Sequence, residues 1–259
     1  MPRLTDRSAV RALLETDRTW SVYPLADLAP GYFEKCDWFG TTGTKPGIIL
    51  LYRGFTSPIF FALGEPDVVQ RLLDEIDEEP RIYLHVPPNI LPLLRKRYDI
   101  QDEKTMWRML LQVNHFQPGP IGSVIRLGLS DLPEVEQLYA DGKPAGEAPH
   151  FFFPEMLHEG VFFGVREGTQ LIATAGTHLL APKESVAAIG NIYTRRDRRG
   201  RGLASQATSA VVRELLRQGL RTIALNVHED NAAAIRVYKR LGFFRYCEFI
   251  EALAVNQPA

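Results

Sequence analysis

The sequence predicts a mixed α/β fold, a mostly antiparallel sheet flanked by helices. Three observations carry this. Short apolar β-rich runs at 35–39, 47–55 and 58–63 follow one another across turns, which suits an antiparallel front. Each half of the chain then passes from strand to amphipathic helix to strand, the order of a parallel crossover. The order occurs twice, and the two passes are separated by Gln117-Pro118-Gly119-Pro120-Ile121-Gly122, a stretch dense in proline and glycine. The predicted domains are therefore 1–116, a linker at 117–122, and 123–259.

In the first half, Thr5 or Asp6 caps a helix through Leu14, whose inner face is Val10, Leu13 and Leu14. A second helical piece is expected near Pro24 to Leu28. After the three β-rich runs, the Gly64-Glu65-Pro66 turn opens a helix with Val68, Val69, Leu72, Leu73 and Ile76 on one side. A strand at 81–86, a helix at 90–98 behind Pro87-Pro88, and a strand at 105–113 complete it.

The second half starts with a strand at 123–129 and a helix through Tyr139, capped by Ser130 or Asp131. A loop leads to His150-Phe151-Phe152-Phe153-Pro154-Glu155. Strands at 161–166 and 170–180 are joined by the Glu167-Gly168 turn. A strand at 186–194 feeds an arginine- and glycine-dense turn and a helix on which Leu203, Ala207, Val211 and Leu215 form one apolar stripe, closed by Gly219. A strand at 222–227, a helix at 231–241 closed by Gly242, and a strand at 243–253 finish the chain.

Asn191 to Gly219 is the informative stretch. A strand, a glycine turn and a helix start make an anion site, because the first helical turn has unpaired N–H groups and a positive dipole end. Gly200 and Gly202 lack a Cβ and admit a phosphate close to the backbone. Arg195, Arg196, Arg198, Arg199 and Arg201 crowd the same turn. No Gly-Lys-Ser/Thr follows, so this is not a nucleotide hydrolase P-loop, and the third glycine of the dinucleotide fingerprint is missing.

The segment Asp197-Arg198-Arg199-Gly200-Arg201-Gly202 resembles motif A of the GNAT superfamily of acyl-CoA N-acyltransferases, Arg/Gln-x-x-Gly-x-Gly/Ala, with Asp at the first position. Asn231, Ala234, Tyr238, Gly242 and Phe243 match motif B of that superfamily. Asn231 and Tyr238 are seven apart and share a helix face. The resemblance covers 186–249 and extends back to Ser123. It implies a GNAT fold for the C-terminal half, and the first half reads as a degenerate GNAT-like copy whose acidic Gly64-Glu65-Pro66-Asp67 turn repels phosphate.

The resemblance further implies acetyl-CoA or another acyl-CoA as co-substrate and no metal. The backbone of Arg199, Gly200, Arg201, Gly202, Leu203 and Ala204 would hold the pyrophosphate. Ile192, Tyr193 and Thr194 would pair with the pantetheine arm, with Asn231 beside the cofactor and Tyr238 as the proton donor to the departing thiolate. The strand before the motif, VAAIGNIYT, holds no acid, and Glu155, His158, Glu184, His228 and Glu229 leave the general base unassigned. The expected reaction is acyl transfer to a primary amine of a small molecule or amino acid. The reading from another class is a CoA-binding sensor without turnover. The Phe151–Phe153 loop is expected either to line the acceptor pocket or to pack onto the first half.

Composition sets the remaining bounds. Of 259 residues, 45% are hydrophobic and 24% charged, with a net charge of −1, so no global field draws the chain to nucleic acid or anionic membrane. Cys36 and Cys247 make neither a disulfide framework nor a zinc site. The opening MPRLTDRSAVRALL is charged throughout and does not read as a secretory signal. The expected setting is cytoplasmic. The expected partner is a small-molecule amine, with neither nucleic acid nor membrane, and a homodimer is the assembly allowed for.

Overall fold

The computed structural model describes residues 3–119, 122, 124–149 and 151–256. By its contacts the chain divides into two units. The first holds the residues up to Arg108, with His228–Asp230 and those from Arg245 onward; the second holds Met109–Val227 and Asn231–Phe244. The proline–glycine stretch at 117–122, taken from the sequence as the linker, thus follows the Arg108–Met109 cut; its residues 120 and 121 lie outside those described. The Gly119 N–H donates to Ser209 Oγ (3.0 Å), inside the second unit.

The first unit opens with α1 (Arg7–Leu14), where the Asp6 carboxylate accepts from the Ser8 and Ala9 amides at 3.0 and 3.3 Å. Helix α2 (Val22–Ala26) precedes strands β1 (Cys36–Thr41), β2 (Gly47–Tyr52) and β3 (Ile59–Leu63), which pair antiparallel in succession. Helix α3 (Pro66–Leu73) buries Val68, Val69, Leu72 and Leu73 and returns the chain to β4 (Arg81–Val86), parallel to β3. The helix expected at 90–98 is a single turn, α4 (Leu91–Leu94), and Tyr98 already belongs to β5 (Tyr98–Leu111). Pro92 is tolerated only in a first turn, and burial of the Tyr98 ring favours the strand.

The second unit runs β6 (Val124–Arg126), α5 (Leu132–Ala140), the short α6 (Glu155–Glu159), β7 (Phe163–Glu167), β8 (Gln170–Ala181), β9 (Val186–Thr194), α7 (Leu203–Arg217), β10 (Thr222–His228, of which the last residue belongs to the first unit) and α8 (Ala232–Leu241). Its strands lie in the order β10-β9-β8-β7-β6, antiparallel except for β9 and β10. Leu203, Ala207, Val211 and Leu215 are all buried, which is the apolar stripe of α7. Gly219, at φ +85°, ends that helix. The last strand, β11 (Phe243–Asn256), returns to the first unit and pairs antiparallel with β4, from Ile250↔Val86 to Val255↔Arg81. The fold is thus the mixed, mostly antiparallel α/β layer that the sequence predicts. A strand–helix–parallel strand crossover occurs once in each unit.

Candidate functional site

The site starts where two strands part. β9 and β10 are in register from Val186↔Thr222 to Ile189↔Leu225, and the pairing stops there although β9 continues to Thr194 and β10 to His228. The backbone of Gly190 to Thr194 therefore faces a slot on the β10 side. A bulge bends β9 at the same level: Thr174↔Tyr193 is followed by Gly176↔Gly190, so Asn191 and Ile192 oppose the single residue Ala175. Asn191 takes φ +52°, a left-handed conformation that asparagine tolerates better than most residues.

The bulge is held from the helix side. The Tyr139 hydroxyl on α5 donates to the Asn191 carbonyl at 2.9 Å, and Asn191 Nδ2 lies 3.4 Å from the Met156 sulfur on α6. A trans peptide points its C=O and N–H in opposite directions. With the Asn191 carbonyl turned to Tyr139, the Ile192 N–H points away from α5. Tyr193 turns its side chain the other way from the slot, into the cluster with Tyr139, Leu138 and Phe162, and its hydroxyl donates to Asp141 at 2.9 Å. Burial and the Asp141 carboxylate push that hydroxyl up to about 12. What Tyr193 offers the slot is its backbone.

Beyond Thr194 the chain makes a turn over Arg196–Arg198 and enters α7 through Gly200 (φ +78°) and Gly202 (φ +75°), the latter as N-cap. A Cβ added at either glycine meets nothing within 4 Å, so both face open space. The first turn of α7, from Leu203 and Ala204, carries no acidic side chain. Its amides and dipole are therefore available to an anion.

The arginines are less available than the sequence suggests. Arg199 forms a two-point pair with Glu147, at 3.2 and 2.7 Å, and its guanidinium sits 5.7 Å over the Tyr193 ring. Arg201 and Arg198 both pair with Glu167, at 3.0 and 2.8 Å, and Arg195 pairs with Asp197 at 2.7 Å. These neighbours hold the Glu147 and Glu167 carboxyls below their usual range, first through hydrogen bonds from Arg199 and Arg198 respectively. Asp197, which departs from the motif, clips Arg195 and Arg198 together. Much of the positive charge is thus balanced locally, and the glycine turn's backbone is the unspent part of the site.

On α8, Asn231 acts as a helix cap: its Oδ1 accepts from the Ala234 amide at 3.1 Å. Tyr238 is buried, its ring 6.3 Å from that of Phe243, and burial raises its hydroxyl's pKa. In the 148–155 loop, Phe152 packs edge-on to Tyr139 and Phe162, at 5.1 and 6.1 Å, within the second unit's own core. Phe151 and Phe153 are 42% and 40% exposed, and His150 lies outside the described residues. Glu155 and His158 lie on α6, Glu184 in the turn before β9, and His228 and Glu229 in the first unit.

One residue escaped the sequence reading. β8 has its own register shift between Thr177 and Leu179, which makes His178 the extra residue of a bulge, and its imidazole abuts Gly190. Strand alternation carries no mark of a bulge, and the only signal was the glycine at 190. Among the described residues no group of three or more His, Cys, Asp or Glu is placed to hold a metal, and no helix is long and apolar enough to cross a membrane.

Residues 132–243, which include the parted parallel pair, the bulge and the glycine turn, match the acetyltransferase (GNAT) family. The second unit carries a GNAT acetyltransferase domain. The chain is 36% identical over 118 residues to the mycothiol acetyltransferase of Geodermatophilus obscurus, an alignment covering 44% of this chain and 37% of that protein. The chain thus spans little more than a third of the length of that relative. An L-methionine sulfoximine/L-methionine sulfone acetyltransferase of Pseudomonas aeruginosa is 38% identical over 53 residues, 20% of this chain and 31% of that protein. Among solved structures, a tandem GNAT protein from the clavulanic acid biosynthesis pathway has a similar fold over 99% of this chain and 98% of its own, with a TM-score of 0.59 at 17% identity. The fold likeness therefore extends across both units, and the GNAT domain is the part matched in sequence.

Proposed function

We propose that the GNAT domain transfers an acetyl or other acyl group from coenzyme A to a primary amine of a small molecule. The observation that supports this best is the slot where β9 parts from β10 after Ile189 and Leu225. It leaves strand backbone at Ile192, Tyr193 and Thr194 for the amides of a pantetheine arm. The open glycine turn fits a pyrophosphate, since residues 200 and 202 face space that a Cβ would leave unfilled by protein. The amides from Arg199 to Ala204 would bind it, and Arg199 and Arg201 would exchange their carboxylate partners for phosphate oxygens.

An amine nitrogen then attacks the thioester carbonyl. The Ile192 N–H, directed away from Tyr139, is the donor for the oxygen that becomes negative. The Tyr238 hydroxyl is the donor for the sulfur. Methionine sulfoximine carries an α-amino group, so the acceptor named for the Pseudomonas relative is of the proposed class. The test is thiol release from acetyl-CoA with a panel of small amines, with the product identified by mass spectrometry. Amine-dependent release supports transfer. Binding of acetyl-CoA with no release for any amine would leave a sensor in its place.

A further inference from the structure

The reaction proposed above needs a group to receive the proton of the attacking amine. We propose that His178 is that group; the inference rests on the acyl-transfer reading and names its base. Three observations place the imidazole. His178 is the extra residue of a bulge on β8, between Thr177↔Ile189 and Leu179↔Ala188. A Cβ built on residue 190 collides with Cδ2, Nε2 and Cε1 of His178, so the ring occupies the space that a side chain at 190 would take, with its Nε2 edge against the Gly190 position. Gly190 is the first residue of β9 beyond the last β10 partner, one position before the bulge residue Asn191. The imidazole therefore stands at the closed end of the slot, where the thioester of an extended pantetheine arm ends.

The face is also the right one. Gly190 is directly opposite Gly176, and directly opposed residues of an antiparallel pair present the same face. Gly176 is covered on that face by the Phe162 ring, and Phe162 packs against Phe152 of the 148–155 loop. His178 thus shares its side of the sheet with the 148–155 loop, for which lining the acceptor pocket is one of the two sequence expectations. In the reaction the amine lone pair forms the new C–N bond and the C–S bond breaks. The nitrogen's proton passes to the imidazole and on to solvent, and the thiolate is protonated in turn.

The experiment uses the full chain with acetyl-CoA and an alkylamine acceptor. For His178→Gln, kcat is expected to fall ~10²–10⁴-fold, the usual worth of a general base, with the calorimetric Kd for acetyl-CoA unchanged. For His178→Ala, free imidazole in the buffer should restore turnover in proportion to its concentration, which a packing role does not predict. Gly190→Ala keeps the histidine but displaces its ring, and should lose kcat in the same way, so a folding defect in one variant leaves the other decisive. Full kcat in His178→Gln, loss of acetyl-CoA binding, or no imidazole rescue overturns the assignment while leaving acyl transfer standing. A wild-type chain that acylates no amine overturns both.

Discussion

Tyr238 shows how one environment narrows a role. The sequence assigns it the acid's part, but burial raises its pKa above the ordinary tyrosine value of ~10, while a thiol titrates near ~8.5. Full proton transfer to a thiolate is therefore uphill, and in the proposed reaction the hydroxyl would act as a neutral hydrogen-bond donor to the departing sulfur. Tyr238→Phe should lower kcat by ~10²–10³-fold, the cost of removing one donor to a developing anion, with no change in Kd for acetyl-CoA. The sign of the shift fixes the pH behaviour. A phenol with a raised pKa stays protonated below pH ~10, so the kcat–pH profiles of wild type and Tyr238→Phe should have the same shape there. An alkaline limb present only in the wild type would contradict this. Gly202 makes a complementary case. A side chain there meets open space, so Gly202→Glu should leave the protein folded, at a strain cost of ~1–3 kcal/mol for a non-glycine residue at φ +75°. Its carboxylate would stand where phosphate is proposed to bind, and calorimetric titration with acetyl-CoA should show no heat of binding.

At the scale of elements, the 148–155 loop packs its middle phenylalanine into the second unit's own core, an outcome that neither sequence expectation stated. Three adjacent phenylalanines cannot share one core, and here the middle one goes in while its neighbours go out. Phe152 is wedged between Tyr139, which holds the bulge, and Phe162, which covers Gly176. Phe152→Ala should lower stability by up to ~3–5 kcal/mol, less in proportion to the ring's partial exposure. It should also loosen the Tyr139–Asn191 contact and so lower kcat for every amine alike. A change confined to large apolar amines would instead mean that the ring lines the pocket. Much at this scale was legible in the sequence. The alternating apolar runs mark β4 and β9, and the four-residue stripe and Gly219 mark α7, because those signals are local. The missed features are not local. The β8 bulge at His178 and the carboxylate partners of the arginines depend on register and on residues up to 52 positions away, as for Arg199 and Glu147. The one-turn α4 lost its expected length to Tyr98, whose burial is a tertiary preference.

At the scale of the whole molecule the question is how many coenzyme A sites two similar crossovers make. β3–α3–β4 repeats the strand–helix–strand order of β9–α7–β10, and its parallel pairing likewise stops short, at Phe61↔His85. The ends differ in what fills them. In the first unit the Trp20 indole N–H donates to the Ala62 carbonyl at 2.9 Å and its ring stacks on Phe61 at 5.2 Å, so a protein side chain holds the backbone that a pantetheine arm would need. The turn into α3 is filled as well. A Cβ at Gly64 would lie 3.0 Å from Gly47 Cα and 3.1 Å from the Pro46 carbonyl, against the open space at Gly200 and Gly202. Pro66 gives α3 one N–H fewer in its first turn, and Asp67 there is neutralised by Lys45 and Arg71, at 3.1 and 3.3 Å, rather than replaced by an anion. The chain should therefore bind one acetyl-CoA, and Gly202→Glu should bind none. A titration that gives two per chain, or a Gly202→Glu variant that keeps one, would place a second site in the first unit and show that Trp20 yields to the cofactor.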